Sequence, residues 1–471
     1  MDRDLASRQE ARDLAAKAEA AQKVLRTFSQ DRIDKIVEAV SRAFAAQAGP
    51  LGELACRETG FGNPKDKETK NLFASRKVWQ AIRNMKTVGI LREDRENRVW
   101  DVGVPAGVLA GIVPSTNPTS TVCYKAMIAL KAGCSIVFSP HPAAVECTKT
   151  AAQLVARAAV AAGAPEGAVG CLTMPTMEAV DELMKCPQVR LILATGGPGM
   201  VKAAYSSGKP AIGVGAGNGP AYIHRSADAA QAVSHIFRSK TFDNGTVCAS
   251  EQSIVVEQDM DQTVSREILR QGGYFLDEAQ AGKVARVLFR HDGRLNPKVV
   301  GRSAETVAKL AGITVPQGTR VLLSRQKEVG PKWPYSWEKL CPVLAYYVED
   351  SQDRVLEKCV AVLSHEGAGH SFMLHANDED VVRRFALEIP VSRFLVNTPG
   401  ALGGIGASTN LFPALTLGCG AVGGSSSSNN IGPLDLINIR RVAWGTEDRP
   451  EKQMDRDSIE ALAAEIIKRL T

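Results

Sequence analysis

The sequence lacks several features that define whole classes of proteins. Its 471 residues contain no apolar run near the ~20 residues that cross a bilayer. The charged start, residues 1–4, does not resemble an apolar signal segment. Ten cysteines are dispersed without a Cys-x-x-Cys pair, which argues against a disulfide scaffold or a zinc ribbon. We therefore predict a cytoplasmic protein with reduced thiols, and we expect no metal site and no membrane contact.

The sequence also lacks a block of charge of one sign. Lys plus Arg number 57 and Asp plus Glu number 51, which gives a net charge of +6. These charges are interspersed, whereas a nucleic-acid-binding surface gathers its basic residues on one face. We therefore expect no nucleic-acid partner. An apolar fraction of 44% over this length is enough for a large core and about two or three domains.

From residue 108 the chain alternates short apolar runs with helical patterns, which is typical of βαβ units around a parallel sheet. Two Ala/Arg/Glu-rich helices, separated by Ser29 as a candidate N-cap, come before this region. The first set of predicted strands is 108–113, 135–138, 170–173 and 189–194, and the second is 254–256, 320–323, 343–348, 371–374 and 394–396. The pattern predicts an α/β protein with two α/β domains in series.

Glycines follow one of the predicted strands at a position suited to a phosphate group. The strand at 189–194 leads into Thr195-Gly-Gly-Pro-Gly199 and then a helix. Such a turn lets a dinucleotide pyrophosphate approach the backbone at a helix N-terminus. A plain tight turn between strand and helix explains the glycines equally well. The nearby Gly213-x-Gly215-x-Gly217 is a weak signal by itself.

Two further motifs contain reactive side chains. Cys248 lies among small residues, which leave room for a reactive thiolate, although a single cysteine is more often a buried apolar residue. His365 and His370 are five residues apart across two glycines, whereas a zinc-protease helix needs its histidines four apart. A glycine-rich loop or a contact with substrate fits this pair better than zinc does.

Several blocks, in this order along the chain, resemble the aldehyde dehydrogenase superfamily and its CoA-acylating branch from about residue 20 to residue 445. The blocks are Pro-Ser-Thr-Asn-Pro-Thr at 114–119, Ala-Thr-Gly-Gly-Pro at 194–198, Thr-Val-Cys-Ala-Ser-Glu at 246–251, Glu-Lys-Leu-Cys-Pro at 338–342, His-Glu-Gly-Ala-Gly-His at 365–370 and Thr-Leu-Gly-Cys-Gly at 416–420. The resemblance implies a Rossmann-like NAD-binding domain, a second α/β catalytic domain and a small oligomerisation segment.

The resemblance also implies domain limits. The NAD-binding domain would cover 1–217, with an oligomerisation segment at about 89–106. The catalytic domain would cover 218–430, and a C-terminal oligomerisation segment 431–446. A charged linker and an amphipathic tail helix would fill 447–471. By the same resemblance we expect a homodimer or a homotetramer.

Residue roles follow from the motif positions. Cys248 corresponds to the nucleophile, Asn117 to the amide of the oxyanion hole, and Glu338 to the acid that holds the nicotinamide ribose. The residues expected to bind NAD are Ser139, Thr195, Gly196, Gly197, Met200, Gly215, Glu338 and Leu340. Ser139 stands where many members have lysine, which favours NAD over NADP. His365 or His370 would contact the substrate or CoA, unless both have only a structural role in their loop.

One departure from the family pattern indicates the reaction. Hydrolytic members carry a water-activating glutamate where this chain has Val214. General-base help is typically worth ~10²–10⁴-fold, so water should attack a thioester here only slowly. The expected reaction converts a short aldehyde, propionaldehyde or acetaldehyde, with NAD and CoA into acyl-CoA and NADH. The alternatives are a hydrolytic enzyme, an enzyme that uses phosphate as acceptor, and a non-catalytic microcompartment scaffold.

The C-terminal tail carries a separate signal. Ile459, Leu462, Ile466 and Leu470 recur at helical spacing after a charged stretch. This pattern resembles the encapsulation peptides of bacterial microcompartment enzymes, which would place the protein inside such a compartment with the stripe on the shell. A helix docked on its own domain and a disordered tail are the two alternatives.

Overall fold

A computed structural model describes residues 2–290, 293–446 and 456–470. Its helices are α1 Arg3–Leu25, α2 Gln30–Ala46, α3 Ala48–Thr59, α4 Pro64–Leu72, α5 Val78–Ile82, α6 Pro118–Lys131, α7 Val145–Ala161, α8 Met177–Lys185, α9 Pro198–Tyr205, α10 Ala229–Thr241, α11 Asp261–Arg270, α12 Glu278–Leu288, α13 Ala304–Leu310, α14 Gln352–His365, α15 Glu379–Glu388, α16 Gly400–Gly404 and α17 Arg456–Leu470. The predicted cap is confirmed, since the Ser29 hydroxyl accepts from the backbone N–H of Arg32.

The strands form three sheets. They are β1 Gly89–Asp94, β2 Val99–Pro105, β3 Val108–Ile112, β4 Ser135–Ser139, β5 Val169–Cys171, β6 Val189–Thr195, β7 Ala211–Val214, β8 Gly219–Ile223, β9 Glu251–Glu257, β10 Gly273–Leu276, β11 Val321–Arg325, β12 Val343–Glu349, β13 Gly369–His375, β14 Val391–Val396 and β15 Ile437–Ala443. The predicted α/β fold class, with parallel sheets and helices between the strands, is confirmed.

The first parallel sheet has five strands in the order β5-β4-β3-β6-β7. Leu109, Leu191 and Leu193 pack towards α2, α6 and α7. Val108, Ala110 and other alternate residues pack towards α1, α8 and α9. Because helices cover both faces, β3, residues 136–138 of β4 and residues 191–194 of β6 are continuous apolar runs without polar alternation. That property made β3, β4 and β6 visible in the sequence.

The second parallel sheet has seven strands in the order β10-β11-β12-β9-β8-β13-β14. Helices α12 to α15 pack on one face, where Val255 and Phe372 are buried. Helices α10 and α11 cover the other face, over Ile254 and Met373. The carboxyl ends of parallel strands are where α/β proteins build their sites, and the segment 215–218 crosses from β7 of the first sheet to β8 of the second.

A small antiparallel sheet, in the order β1-β2-β15, joins two distant parts of the chain. Strand β15 pairs with β2 over its full length, from Ile437 opposite Pro105 to Ala443 opposite Val99. The two segments expected to mediate oligomerisation, 89–106 and 431–446, therefore lie side by side. Ile439 and Trp444 are 43% and 38% exposed here.

The tail forms helix α17, and its apolar stripe is largely in solvent. Leu462, Ile466 and Leu470 are 53%, 50% and 82% exposed. This exposure argues against the alternative in which the stripe docks on its own domain. The Ile459 side chain and the charged linker at 447–455 lie outside the described residues. No helix in the described part of the chain has the length and apolarity to span a membrane.

Candidate active site

A cavity of about 250 Å³ opens between the two parallel sheets. Eight of the residues predicted for the site line it together: Asn117, Thr195, Gly196, Gly197, Gly215, Cys248, Glu338 and Leu340. They come from turns at the ends of β3, β6 and β7, from the loop before β9 and from the segment before β12. The sequence motifs are thus far apart along the chain and adjacent in space.

Cys248 lies on the loop between a short 3₁₀ turn, Phe242–Gly245, and β9. Burial, together with the nearby negative charge of Glu338, raises the pKa of its thiol to about 12, while the Arg393 guanidinium acts in the opposite direction. Gly217 is packed against this loop: a Cβ there would lie 1.9 Å from the carbonyl oxygen of Cys248. Only glycine allows the crossing segment to approach the thiol so closely.

Glu338 is the second titratable group on the cavity wall. Its Oε1 accepts a hydrogen bond from the backbone N–H of Gly217 at 3.0 Å, and its own N–H donates to Oε2 of Glu366 at 2.6 Å. Burial and the charge of Glu366 raise the pKa of the Glu338 carboxyl to about 8. The side chain is therefore mostly protonated at neutral pH and becomes a negative neighbour of Cys248 above pH 8.

Asn117 is the residue immediately before α6, yet its side chain makes no capping bond to that helix. Its Oδ1 accepts from Nζ of Lys70 at 2.5 Å. Its Nδ2 donates to the carbonyl oxygen of Thr246 at 3.2 Å and to Oγ1 of Thr116 at 3.3 Å, and an oxyanion would replace one of these two long bonds. The amide nitrogen therefore faces the Cys248 loop, which is the orientation that an oxyanion donor needs.

A buried charge cluster that the sequence did not reveal stands behind Asn117. Asp243 is fully buried, and its Oδ2 contacts Nζ of Lys67 at 3.0 Å and Nζ of Lys70 at 2.5 Å. Burial acts to raise the pKa of the Asp243 carboxyl, but the two lysines hold it below its ordinary value. The only sequence signal is the three-residue spacing of the lysines on α4, which a solvated helix face shows equally often.

The turn after β6 suits the phosphates of a nucleotide. A Cβ built on Gly197 or Gly215 would meet no atom within 4 Å, so this wall leaves open space beside the backbone. The Thr195 hydroxyl is buried and has no hydrogen-bond partner in the described part of the chain. Gly197 directly precedes α9, where Pro198 has no N–H and the N–H of Met200 donates to the carbonyl oxygen of Gly197, so the N–H of Gly199 is the first at this helix end that can face a phosphate. The residues present fit the pyrophosphate of NAD or of CoA.

Four predicted residues do not line the cavity. Ser139 ends β4 with a buried hydroxyl that lacks a partner among the described residues, and Met200 lies on α9. His365 ends α14, with its ring edge-to-face against Trp337 at 4.3 Å. His370 is fully buried on β13, where burial and the charge of Arg393 lower the pKa of its imidazole to about 3. Contact of these four with cofactor or substrate stays a prediction.

Replacing Glu338 by glutamine tests whether the charge of Glu338 affects the ionisation of the Cys248 thiol. Above pH 8 the wild-type carboxylate opposes ionisation of Cys248, and glutamine removes that charge. We expect iodoacetamide to alkylate Cys248 faster in Glu338→Gln at pH 9, on the order of tenfold. Little difference is expected at pH 6.5, where the carboxyl is already protonated. Mass spectrometry of the Cys248 peptide gives the rate.

Glu366→Gln is the matched control for this experiment. The charge of Glu366 raises the pKa of the Glu338 carboxyl. Glu366 is not among the main groups that shift the pKa of the Cys248 thiol. Because Glu338 is ionised at pH 9 with or without Glu366, the control should be alkylated at the wild-type rate. Equal rates in Glu338→Gln and wild type at pH 9 would show that the two groups are not coupled.

Comparisons with known proteins agree with this geometry. The aldehyde dehydrogenase family matches residues 2–330. The chain is 43% identical over 440 residues to the bifunctional aldehyde-alcohol dehydrogenase AdhE of Escherichia coli K12, covering 92% of this chain and 49% of that protein. It is 36% identical to the acetylating succinate-semialdehyde dehydrogenase of Clostridium kluyveri, covering 92% of this chain and 95% of that protein.

Solved structures show the same likeness. The chain superposes on an acetylating aldehyde dehydrogenase from Geobacillus thermoglucosidasius with a TM-score of 0.94 and 49% identity, covering 96% of this chain and 100% of the other. The chain spans about half the length of the bifunctional relatives that it matches. Together with the cavity around Cys248, Asn117 and Glu338, these matches show that the chain belongs to the aldehyde dehydrogenase family.

Proposed function

We propose that the protein oxidises a short-chain aldehyde with NAD and transfers the acyl group to CoA. The observation that carries this proposal is the presence of Val214 on the same cavity wall as Cys248. Val214 is 2% exposed at the end of β7 and cannot activate water. A thiol acceptor needs less help than water, because a thiol is more acidic and more nucleophilic.

The chemistry divides into acylation and transfer. The Cys248 thiolate adds to the aldehyde carbonyl, and the Asn117 amide and the Cys248 backbone N–H hold the resulting oxyanion. When bound, the nicotinamide supplies a hydride acceptor. Loss of hydride leaves an acyl group on the Cys248 sulfur as a thioester. The CoA thiolate then attacks that carbonyl, the Cys248 thiolate leaves, and acyl-CoA is released.

The test is NADH production from acetaldehyde and from propionaldehyde, with CoA, with inorganic phosphate and with neither. We expect turnover that requires CoA and appears as acyl-CoA by mass spectrometry. Equal turnover without CoA would replace the proposal by a hydrolytic enzyme. Turnover restored by phosphate would indicate an acyl phosphate product. A protein that binds NAD but turns over no aldehyde would support the scaffold alternative.

We also propose assembly as a homodimer or homotetramer through the sheet β1-β2-β15. The exposed apolar side chains Ile439 and Trp444 on and beside β15 support this, as does the pairing of the two predicted oligomerisation segments. The predicted domain limits at 217/218 and 430/431 are proposed with it. Sedimentation equilibrium distinguishes the two assemblies from a monomer, which would contradict the proposal.

The exposed stripe of α17 supports a location inside a bacterial microcompartment. A propionaldehyde dehydrogenase from the fucose-utilisation microcompartment of Clostridium phytofermentans is 28% identical, with a TM-score of 0.83 over 92% of this chain. Shell contact would use Leu462, Ile466 and Leu470, together with Ile459.

Deleting residues 447–471 tests this role for the tail. We expect unchanged kcat, because the described tail side chains are exposed, and we expect loss of co-purification with shell proteins. Replacing Leu462, Ile466 and Leu470 by serine should have the same effect with the tail length kept. A deletion variant that still co-purifies with shells would contradict this role.

A further inference from the structure

Two buried lysines on α4 share one carboxylate but differ in what else they touch. Lys67 and Lys70 both have side chains 3% exposed, and both contact Oδ2 of Asp243. Lys67 Nζ donates its other described bond to the carbonyl oxygen of Thr116 at 2.8 Å. Lys70 Nζ donates to Oδ1 of Asn117 and to Oγ1 of Thr246, at 2.5 and 3.0 Å. Of the two, only Lys70 also lines the cavity.

The contact with Lys70 determines which way the Asn117 amide faces. An ammonium group can only donate hydrogen bonds, so it pairs with the amide oxygen and repels the amide NH₂. Rotating the amide by half a turn would place NH₂ against the ammonium and Oδ1 against the carbonyl of Thr246. Both contacts would then be repulsive. The NH₂ group is therefore held on the side of the Cys248 loop, and the adjacent cation polarises it as a donor.

The cluster also joins that amide to the nucleophile loop. The Thr246 hydroxyl donates to Oδ2 of Asp243 at 2.7 Å, two residues before Cys248. Asp243 itself has a left-handed backbone, with φ of 49°. The carboxylate of Asp243 packs tightly against Gly62, where a Cβ would lie 1.7 Å from Oδ1. This packing fixes the position of the carboxylate. One charged cluster thus holds both the amide donor and the loop that carries the thiol.

We propose that Lys70 is a positioning residue for aldehyde oxidation, acting through the Asn117 amide on the oxyanion formed at Cys248. This inference rests on the proposed function. Burial lowers the pKa of the Lys70 ammonium to about 8, against the opposing effect of Asp243, so the cation is present at neutral pH.

The test compares Lys70→Met with Lys67→Met, which loses an equally buried partner of the same carboxylate. Two rates are measured for each: single-turnover NADH formation from propionaldehyde, and alkylation of Cys248 by iodoacetamide, which creates no oxyanion. We expect Lys70→Met to slow NADH formation about 100-fold, the usual cost of displacing a catalytic group by about 1 Å. The rate of alkylation should stay within about threefold of the wild-type rate, because this reaction creates no oxyanion for the Asn117 amide to stabilise. A factor of three corresponds to less than 1 kcal/mol. We expect Lys67→Met to change both rates by less than about fivefold.

Asn117→Ala and the double variant Lys70→Met/Asn117→Ala complete the design. If Lys70 acts through Asn117, the double variant should be no slower than Asn117→Ala, because the two changes remove one interaction. Lys70→Gln replaces Lys70→Met in the comparison if the methionine variant does not fold.

Three results would overturn the inference: additive losses in the double variant, equal slowing of NADH formation and alkylation in Lys70→Met, or equal effects of the two lysine substitutions. A wild-type protein without CoA-dependent turnover would instead contradict the proposed function. The two failures are therefore distinguishable.

Discussion

Replacement of Cys248 by alanine should abolish acyl-CoA formation, with turnover falling by at least about 10⁴-fold. The expected loss is large because the thiol forms the covalent bond in both halves of the reaction, and no second cysteine is among the described residues that line the cavity. The Asn117 amide and the glycine turn would remain, so NAD should bind the variant with wild-type affinity. Single-turnover NADH formation measures the loss, and fluorescence titration with NADH measures the binding.

Cys419 provides the matched control for this substitution. It is 4% exposed, it lies close enough to Cys248 to raise the pKa of that thiol, and its own pKa is raised by burial. It does not line the cavity. We expect Cys419→Ala to keep turnover within about threefold of wild type, a change below 1 kcal/mol. Full activity in Cys248→Ala would mean that a different nucleophile is at work.

The parts of the fold that the sequence predicts are those in which one physical rule decides the structure. Strand β3 and residues 191–194 of β6 lie between helices on both faces, so each is an unbroken apolar run. The predicted N-cap Ser29 is confirmed at the start of α2, because its side chain accepts from the backbone N–H of Arg32. Such local rules need no knowledge of the rest of the chain.

Two of the six strands that the sequence does not predict, β7 and β8, are strands in which local pattern and tertiary setting disagree. Strand β7 has four residues and contains Gly213, so the sequence showed a glycine loop there. Strand β8 begins at Gly219-Pro220 and is nonetheless fully buried, because β9 and β13 pair on both of its sides. Glycine and proline disfavour strands in general, and only the completed sheet outweighs that preference.

The residues of the site also divide into those that the sequence predicts and those that it does not. Cys248, Asn117 and Glu338 stand in recognisable motifs, and the structure places them on one cavity. Lys70 and Asp243 are 173 residues apart, and neither stands in a motif that marks it. A buried ion pair depends on which elements meet in space, and charge patterning along one helix does not specify that. The sequence alone therefore does not predict Lys70 and Asp243, which support the motif side chains.

Replacing Val214 by glutamate should open a hydrolytic route. The new carboxylate would stand on the cavity wall that carries the Cys248 thioester, where it can take a proton from water. General-base help of this kind is typically worth ~10²–10⁴-fold, so we expect NADH formation without CoA to rise by about that factor. Val214 is buried, and burial raises the pKa of a carboxyl above its ordinary value. The CoA-independent rate should therefore increase with pH until that carboxyl is ionised.

Val214→Gln is the control, because glutamine matches glutamate in size and polarity but cannot act as a base. A CoA-independent rate that rises only in Val214→Glu would show that the missing base is what reserves the thioester for CoA. An equal rise in both variants would mean that Val214 excludes water by its bulk and apolar surface. No rise in either, with CoA-dependent turnover intact, would place the barrier to hydrolysis elsewhere on the cavity wall. Acid and acyl-CoA measured by mass spectrometry distinguish these outcomes, because each predicts a different ratio of the two products.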